Sequence, residues 1–390
     1  MAGLSQRVYL DYAATTPVAD RVLNAMLPFF NENFGNPSSV HGIGQYAEAA
    51  LEAAREKTAK FLHARSEEVI FTGCGTESDN LAIRGVALAQ RRSRGANHIL
   101  VSPVEHHAVL HTVRQLSEYL GFEVEMLPVD GFGRVDPQDV KASIRPNTAL
   151  VSVIYANNEI GTINPIRQIG EVCREAGVIF HTDAVQAAAH LAMNVQLDDV
   201  DLLSIGAHKF YGPKGVGALY VRRGVQLVPS QTGGGQEYNI RAGTQNMPYI
   251  VGLAEAFELA QTEIKLWASH FTKLRDHLIG RVLEEIPEAR LTGHMVDRLP
   301  NHASFVFKGV EGNQLLMMLD AAGFACSSGS ACKVGNPKPS EVLEAIGVLP
   351  AWNRGSLRVT LGHGTLPEHI DQLMQVLPVI IKDLRKLSVV

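Results

Sequence analysis

Short apolar runs alternate with helical segments across residues 69–221, and this order leaves few possible folds. Runs of strand length occur at 69–72, 98–101, 122–129, 149–155, 178–182, 201–205 and 217–221. Helical patterns lie between some of them, at 106–120, 136–144 and 166–176. This alternation predicts an α/β fold with a mostly parallel central sheet, covered by helices on both faces. Ligands of such sheets bind beyond the carboxyl ends of the strands.

Polar side chains follow several of these runs, at the end where a ligand is expected. They are Thr76, His106, Asn158, Asp183 and Lys209. Because the carboxyl ends of parallel strands meet at one edge of a sheet, we expect these five side chains to face one crevice.

Lys209 directly follows the apolar run that ends near residue 205, within the stretch 201–215. A lysine after a strand is usually solvated, as we expect for Lys214 in its Gly-Pro-Lys-Gly turn. If Lys209 is partly buried, its amine becomes nucleophilic near neutral pH. Together with Asp183, it fits pyridoxal 5'-phosphate, which needs a Schiff-base lysine and an acidic partner for its ring nitrogen.

The glycine-rich turn at 73–80 follows the first of these strands and opens a helix. Free backbone N–H groups at the start of that helix form a natural phosphate site. Such turns are common, so this signal alone is weak. A second polar, glycine-rich connection lies at 233–244.

The pattern predicts two domains, with a boundary near residue 260. Residues 17–260 would form the large cofactor-binding domain, and residues 1–16 and 261–390 a smaller α+β domain. Strands are expected at 303–307, 324–326 and 356–360. A final helix from Pro367 carries apolar residues at helical spacing, which predicts core packing. They are Ile370, Leu373, Leu377, Ile381 and Leu384.

Composition excludes several classes of function. The chain has 390 residues, of which 46% are hydrophobic and 19% charged, and its net charge of −5 gives no reason to expect direct nucleic-acid or anionic-membrane binding. No apolar run is long enough to span a membrane, and the first residues do not match a signal peptide. Four cysteines make no disulfide framework, so a cytoplasmic location is expected. No Cys/His spacing indicates a metal site.

Seven motifs carry a resemblance to a known family. They are Tyr-Leu-Asp-Tyr-Ala-Ala-Thr-Thr-Pro at 9–17, Gly-Asn-Pro-Ser-Ser at 35–39, Gly-Thr-Glu-Ser-Asp-Asn at 75–80, Asn-Asn-Glu-Ile-Gly at 157–161, Asp-Ala-Val-Gln at 183–186, His-Lys at 208–209 and Ser-Ser-Gly-Ser-Ala-Cys at 327–332. From residue 8 onwards the chain resembles the NifS/IscS-type cysteine desulfurases of the aminotransferase class V group. This resemblance implies the fold type I of pyridoxal phosphate enzymes and a long catalytic loop.

The resemblance also implies a role for each matching residue. Lys209 would hold the cofactor, Asp183 would pair with its ring nitrogen, and Gln186 would contact its phenolic oxygen. Gly75, Thr76 and His208 would bind the phosphate, with Thr244 contributed by the partner subunit of a homodimer. His106 would stack on the ring and move protons. Asn158 would lie near the ring and the substrate, and Arg358 would bind the substrate carboxylate.

Cys332 would be the second catalytic centre besides Lys209. Gly, Asn and Pro at 335–337 predict an exposed loop around it, and Lys333 would favour its thiolate. By the resemblance, Cys332 takes sulfur from L-cysteine as a persulfide and releases L-alanine. Cys173 and Cys326 are expected to be structural. One departure is Gly206, where many relatives carry serine, so only backbone can reach the phosphate there.

Other assignments fit the residues less well. A selenocysteine lyase of the same fold also carries a loop cysteine and stays an alternative, whereas an aminotransferase needs none. A non-catalytic scaffold would not need Lys209, Asp183 and Cys332. No Gly-x-Gly-x-x-Gly turn follows a strand, which disfavours a nicotinamide dehydrogenase.

The sulfur acceptor would be an iron–sulfur cluster assembly scaffold or a thiolation enzyme.

Overall fold

The computed structural model describes residues 7–328 and 340–387. Within these residues there are twelve strands: β1 Val8–Tyr9, β2 Val69–Thr72, β3 His98–Val101, β4 Glu123–Met126, β5 Thr148–Ser152, β6 Ile179–Asp183, β7 Leu202–Gly206, β8 Gly217–Val221, β9 Ala289–Leu291, β10 His302–Phe307, β11 Phe324–Ala325 and β12 Ser356–Thr360. The same residues form twelve α-helices: α1 Asp20–Met26, α2 Pro28–Asn31, α3 Gly42–Leu62, α4 Gly75–Arg94, α5 His107–Leu120, α6 Pro137–Ser143, α7 Ile166–Ala176, α8 Met247–Glu285, α9 Gly312–Ala321, α10 Glu341–Ala345, α11 Pro350–Asn353 and α12 Pro367–Leu387.

Seven strands form the central sheet, in the order β2-β8-β7-β6-β5-β3-β4. Neighbouring strands from β7 to β4 are parallel, and β8 is antiparallel to both of its neighbours. The prediction of a mostly parallel sheet is therefore confirmed. Because β8 alone reverses, β2 and the parallel strands all point their carboxyl ends to the same edge.

Both faces of this sheet are buried under helices. Successive strand residues point to opposite faces, so Ile70 and Phe71 belong to different core clusters. Ile99 and Leu100 divide in the same way. This explains why the strands read as continuous apolar runs rather than as alternating ones.

A second, smaller region is built on an antiparallel sheet in the order β12-β10-β9, beside the parallel pair of β1 and β11. Its core includes α9, α12 and the second half of α8. All five apolar residues predicted to pack from α12 are buried there, which confirms that expectation: Ile370, Leu373, Leu377, Ile381 and Leu384.

Helix α8 belongs to both regions. It has 39 residues and runs without interruption through residue 260. Phe257 packs in the core of the large sheet, and Phe271 in the core of the small one. The two-domain division at residue 260 stays a prediction.

Some element boundaries differ from the sequence expectation. The strand predicted at 122–129 is shorter, Glu123–Met126, and lies at the sheet edge with partly exposed side chains. Helix α8 begins at Met247, where the Asn246 side chain accepts from the Tyr249 N–H and caps the helix. Within residues 7–328 and 340–387, no helix is both long and apolar enough to cross a membrane.

The connection between β8 and α8 contains a turn of unusual backbone. Glu237, Tyr238 and Asn239 have φ angles of 44°, 57° and 63°, in the left-handed region that side chains other than glycine disfavour. The Glu237 carboxylate is buried and accepts from Arg55 Nη1 at 2.8 Å and Nη2 at 2.9 Å. It also accepts from the Phe71 N–H at 2.8 Å. These bonds fix the turn against β2.

Candidate active site

An open cavity of about 290 Å³ lies at the carboxyl edge of the central sheet. Nine of the residues selected from the sequence line it: Gly75, Thr76, His106, Asn158, Asp183, Gln186, His208, Lys209 and Arg358. Seven follow strands of the large sheet and Asp183 ends one, whereas Arg358 comes from β12 of the small sheet. Ala13 and Ala14 close the cavity from the N-terminal segment. The fold therefore gathers residues that are up to 345 positions apart (358 − 13).

Lys209 ends a short 3-10 helix, Ala207–Lys209, directly after β7. Its Nζ donates to the Ala13 carbonyl at 2.6 Å and to the Ala14 carbonyl at 2.7 Å. Burial, reinforced by the positive charge of Arg358, lowers the pKa of Lys209 to about 8. Its amine is therefore neutral in a much larger fraction of molecules than an exposed lysine, and it can act as a nucleophile.

Asp183 is the last residue of β6 and is 5% exposed. Its Oδ1 accepts the Val185 N–H at 2.8 Å. Burial raises the pKa of this carboxyl, while the charges of His106 and Lys209 oppose the shift. The site thus holds an acidic group whose charge state depends on a cation placed next to it.

Asp79 is a cavity residue to which the sequence analysis gave no role. It is 1% exposed, and its Oδ1 has no hydrogen-bond partner among the described residues. Burial, and then the charge of Asp183, raise the pKa of Asp79 well above its usual value. Two carboxyls this close do not both ionise readily, and Asp183 has the better anion stabilisation, so Asp79 is the one that keeps a proton. The sequence could have identified Asp79 as a cavity residue by its spacing, because it lies one helical turn after Gly75.

His106 caps the N-terminus of α5, where its Nδ1 accepts the Ala108 N–H at 3.1 Å. A neutral ring that accepts through Nδ1 carries its proton on Nε2. The ring is open to the cavity yet closely surrounded by protein, which lowers its pKa. Donor atoms of His106, Asp79 and Asp183 lie within 4.8 Å of one another, a spacing that could also hold a metal ion. A proton held on Asp79 would oppose such binding.

Gln186 and Lys209 share one acceptor. The Gln186 Nε2 donates to the Ala13 carbonyl at 2.8 Å, as Lys209 Nζ does. A side-chain amide has two N–H groups, so the second can serve a ligand in the cavity.

The turn before α4 has the shape of an anion cradle. A Cβ on Gly75 would lie 2.6 Å from Val185 Cγ2, so only glycine fits this approach. The Glu77 carboxylate accepts the Gly73 N–H at 2.7 Å and pairs with Arg241 at 2.7 Å. Helix α4 has 20 residues, and its first N–H groups lack acceptors within the helix.

His208 and Gly206 lie on the other side of this turn. The Nδ1 of His208 is 3.2 Å from Thr15 Oγ1, and burial followed by the charge of Lys209 lowers the pKa of His208 to about 4. Its ring is therefore neutral at pH 7. A Cβ on Gly206 would meet Gly75 N at 3.5 Å, an ordinary contact, so this glycine is not required for space.

Arg358 is 4% exposed and reaches the cavity from β12. Its Nη1 donates to the Asn158 carbonyl, and its Nη2 to Asp11 Oδ1, both at 2.8 Å. Its Nε is buried and has no hydrogen-bond partner among the described residues. A buried N–H without an acceptor is costly, and a bound carboxylate would satisfy it.

Thr244, also selected from the sequence, is exposed on the surface and does not line this cavity. Cys332 lies outside the described residues. Cys173 is fully buried and Cys326 is packed against the small core, and burial raises the pKa of both thiols. Cys74 caps α4 and lines the cavity.

Comparisons with known proteins agree with this geometry. The family description "Aminotransferase class-V" matches residues 8–373. "Cysteine desulfurase IscS" of Dictyoglomus turgidum is 49% identical over 385 residues, covering 99% of this chain and 97% of that protein. A solved "NIFS-LIKE PROTEIN" has a TM-score of 0.88 at 37% identity, over 98% of this chain and 100% of that chain. A structure described as "SspA in complex with cysteine" has a TM-score of 0.79 at 37% identity, over 90% of this chain and 98% of that one.

Proposed function

Because this chain belongs to the aminotransferase class V family, and within it to the cysteine desulfurases, we propose that it removes sulfur from L-cysteine using pyridoxal 5'-phosphate. The products would be L-alanine and a persulfide on Cys332. The observation that carries this proposal is that Lys209, Asp183 and Arg358 line one cavity. These three groups match an aldehyde, a ring nitrogen and a substrate carboxylate.

The donor set of the cavity fits the cofactor. The amine of Lys209 would hold it, the Asp183 carboxylate would face its ring nitrogen, and the free N–H of Gln186 would reach its phenolic oxygen. The N-terminus of α4 at Gly75 and Thr76, together with His208, would bind the phosphate. His106 would stack on the ring. When bound, pyridoxal 5'-phosphate supplies an aldehyde that links to amines and a ring that withdraws electrons.

The residues of the chain would then divide the work. Arg358 binds the substrate carboxylate and Asn158 borders the substrate. The Lys209 amine, whose pKa burial lowers to about 8, would take and return a proton at the substrate carbon. His106, whose neutral ring has its proton on Nε2, can donate that proton toward the cavity.

Cys332 would accept the sulfur. Its thiolate attacks the sulfur of the bound cysteine, and a sulfur–sulfur bond forms as the carbon–sulfur bond breaks. The electron pair stays on the carbon, which takes a proton to become the methyl group of alanine. The active-site thiol must stay reduced for this reaction, so we assign the protein to the reducing cytoplasm.

The flanks of the segment that carries Cys332 support this role. Before it, Ser327 pairs with the backbone of Arg358, whose N–H donates to the Ser327 carbonyl at 2.6 Å. After it, Ser340 Oγ donates to Glu159 at 2.6 Å, beside Asn158. The two described flanks of this segment therefore contact Arg358, which lines the cavity, and Glu159, next to Asn158 in the chain.

We also propose a homodimer. Large apolar side chains are 44–67% exposed along α1, α2 and the start of α3: Leu23, Leu27, Phe30, Phe34, Ile43 and Tyr46. The Phe30 ring contacts Tyr249, which lies five residues after exposed Thr244 in the chain. A surface with this many large, exposed apolar side chains fits a protein–protein interface. In a two-fold dimer, Thr244 would complete the phosphate site of the partner subunit. Phe34→Glu should yield monomers in sedimentation and weaken cofactor binding.

The deciding experiment measures alanine released from L-cysteine by the cofactor-loaded protein, with mass spectrometry of the Cys332 peptide. We expect one added sulfur atom on Cys332 and loss of both signals in Cys332→Ser. Cys74→Ser is the matched control, because Cys74 lines the cavity but has no assigned role in sulfur transfer. Persulfide on another cysteine, or full turnover by Cys332→Ser, would refute the assignment. Turnover of selenocysteine without cysteine would assign the lyase instead.

An acceptor completes the reaction cycle, since a persulfide must pass its sulfur on. We propose an iron–sulfur cluster assembly scaffold or a thiolation enzyme. Radioactive sulfur loaded on Cys332 from labelled cysteine should move to a purified acceptor of the right class. If the label stays on Cys332 in the presence of each of the two acceptor classes, that part of the proposal is contradicted.

A further inference from the structure

The cation that would bind the substrate carboxylate already has a carboxylate partner. Arg358 Nη2 donates to Asp11 Oδ1 at 2.8 Å, and the two side chains are 5% and 20% exposed. A buried guanidinium needs a counter-charge, and Asp11 supplies it. Two of the five N–H groups of Arg358 donate to Asp11 and Asn158, and its Nε has no acceptor within residues 7–328 and 340–387.

Asp11 is held firmly in this position by its backbone. It follows β1 and forms a bridge with Thr360, the residue that ends β12. The Tyr9 hydroxyl donates to the Asp11 carbonyl at 2.9 Å. Asp11 therefore cannot withdraw easily when a ligand enters, so an incoming carboxylate must share Arg358 with it.

We infer that Asp11 determines substrate affinity, as an internal carboxylate that competes with the substrate carboxylate for Arg358. This inference rests on the proposed function, in which Arg358 binds that carboxylate. Two carboxylates on one guanidinium repel each other, so Asp11 weakens the binding of both amino-acid substrate and amino-acid product. The same repulsion favours release of alanine.

The test is equilibrium binding of propionate to cofactor-loaded Asp11→Asn, measured by calorimetry. Propionate carries a carboxylate but no amine, so it cannot react with the cofactor. Propionamide is the neutral probe of the same shape. We expect Asp11→Asn to bind propionate about tenfold more tightly than the parent, with propionamide unchanged. The KM for cysteine should fall by a similar factor without a rise in kcat. Unchanged or weaker propionate binding would overturn the inference.

A matched control separates this effect from a general loss of an ion pair. Arg134 and Asp297 form another pair at 2.8 Å, away from the cavity. Asp297→Asn should leave propionate affinity unchanged. If it tightens binding as much as Asp11→Asn does, competition at Arg358 is not the cause.

Melting temperatures protect the test against a folding defect. Asp11→Asn leaves Arg358 without its counter-charge, so the ligand-free variant should melt earlier. Propionate should then raise its melting temperature more than that of the parent, which a purely structural role of Asp11 would not produce. Asp11→Ala should melt earlier without ligand and be stabilised more by propionate, as Asp11→Asn is. If the parent forms no alanine from cysteine, the proposed function fails while propionate still reports on Asp11. If alanine forms and propionate binds no better to the variants, the inference alone fails.

Discussion

Replacing Glu237 with glutamine should strongly destabilise the protein, although Glu237 lies in a surface connection rather than in a strand or α-helix. The carboxylate is 1% exposed and the guanidinium of Arg55 is 2% exposed. Two hydrogen bonds join them, and a third comes from the Phe71 N–H. Glutamine keeps the shape but removes the charge, so the buried Arg55 cation keeps only the half-exposed Glu52 carboxylate, 3.1 Å from its Nε, as a counter-ion.

The expected cost follows from these contacts. Removing one partner of a buried ion pair typically costs about 3–5 kcal/mol. The left-handed turn does not add to this cost, because its strain of about 1–2 kcal/mol for each of three non-glycine residues is already present in the parent. We expect a loss of about 4 kcal/mol, a large share of a total stability of about 5–15 kcal/mol.

Urea unfolding followed by circular dichroism measures this loss. With a slope of about 3 kcal/mol per molar urea, the midpoint should fall by about 1.3 M. Glu171→Gln is the control, since Arg167 and Glu171 form an exposed pair one helical turn apart at 3.1 Å, worth only about 0.3–0.5 kcal/mol. A double variant with methionine at both 55 and 237 should be more stable than Glu237→Gln, because no unpaired charge remains. A loss below about 1 kcal/mol in Glu237→Gln would refute the reasoning.

Three further predictions concern the cavity. Gly206→Ser should tighten cofactor binding about tenfold, because the serine hydroxyl can donate a hydrogen bond to the charged phosphate, whereas Gly206→Ala adds only the Cβ and should not tighten it. Equal effects of the two variants in a fluorescence titration would contradict this prediction. In the cofactor-free protein, Lys209 gives up its proton near pH 8 rather than near 10.5, so the rate of cofactor capture should rise with pH through about 8 and level off above it; a rise centred above pH 10 would show an ordinary lysine. Burial and the charge of Asp183 raise the pKa of Asp79, so Asp79→Asn should change the midpoint of the pH titration of the cofactor absorbance by no more than about one unit, whereas Asp183→Asn should weaken cofactor binding severely. Severe loss of cofactor binding in Asp79→Asn but not in Asp183→Asn would mean that Asp183 holds the proton.

The sequence was sufficient for the sheet and for most of the cavity, because both depend on local signals. Apolar runs bounded by turns identify the strands, and polar residues just after them identify the carboxyl edge. Asp183 and Lys209 each follow such a run, so their meeting could be predicted without any long-range contact. The apolar spacing of α12 is local in the same sense.

The contacts that escaped prediction join residues far apart in the chain. Asp11 and Arg358 are 347 residues apart, and Arg55 and Glu237 are 182 apart. Nothing near either residue of such a pair identifies its partner. The left-handed turn at Glu237 also has no glycine to mark it, because the buried carboxylate rather than local preference enforces its backbone.

Helix α8 has a thermodynamic consequence for the whole chain. At 39 residues it is about 58 Å long, and its two halves are embedded in separate hydrophobic interiors. Unfolding of either hydrophobic core removes apolar contacts from helix α8, which the other core also needs. Heating should therefore give a single calorimetric peak rather than two, and the two regions should share one melting temperature.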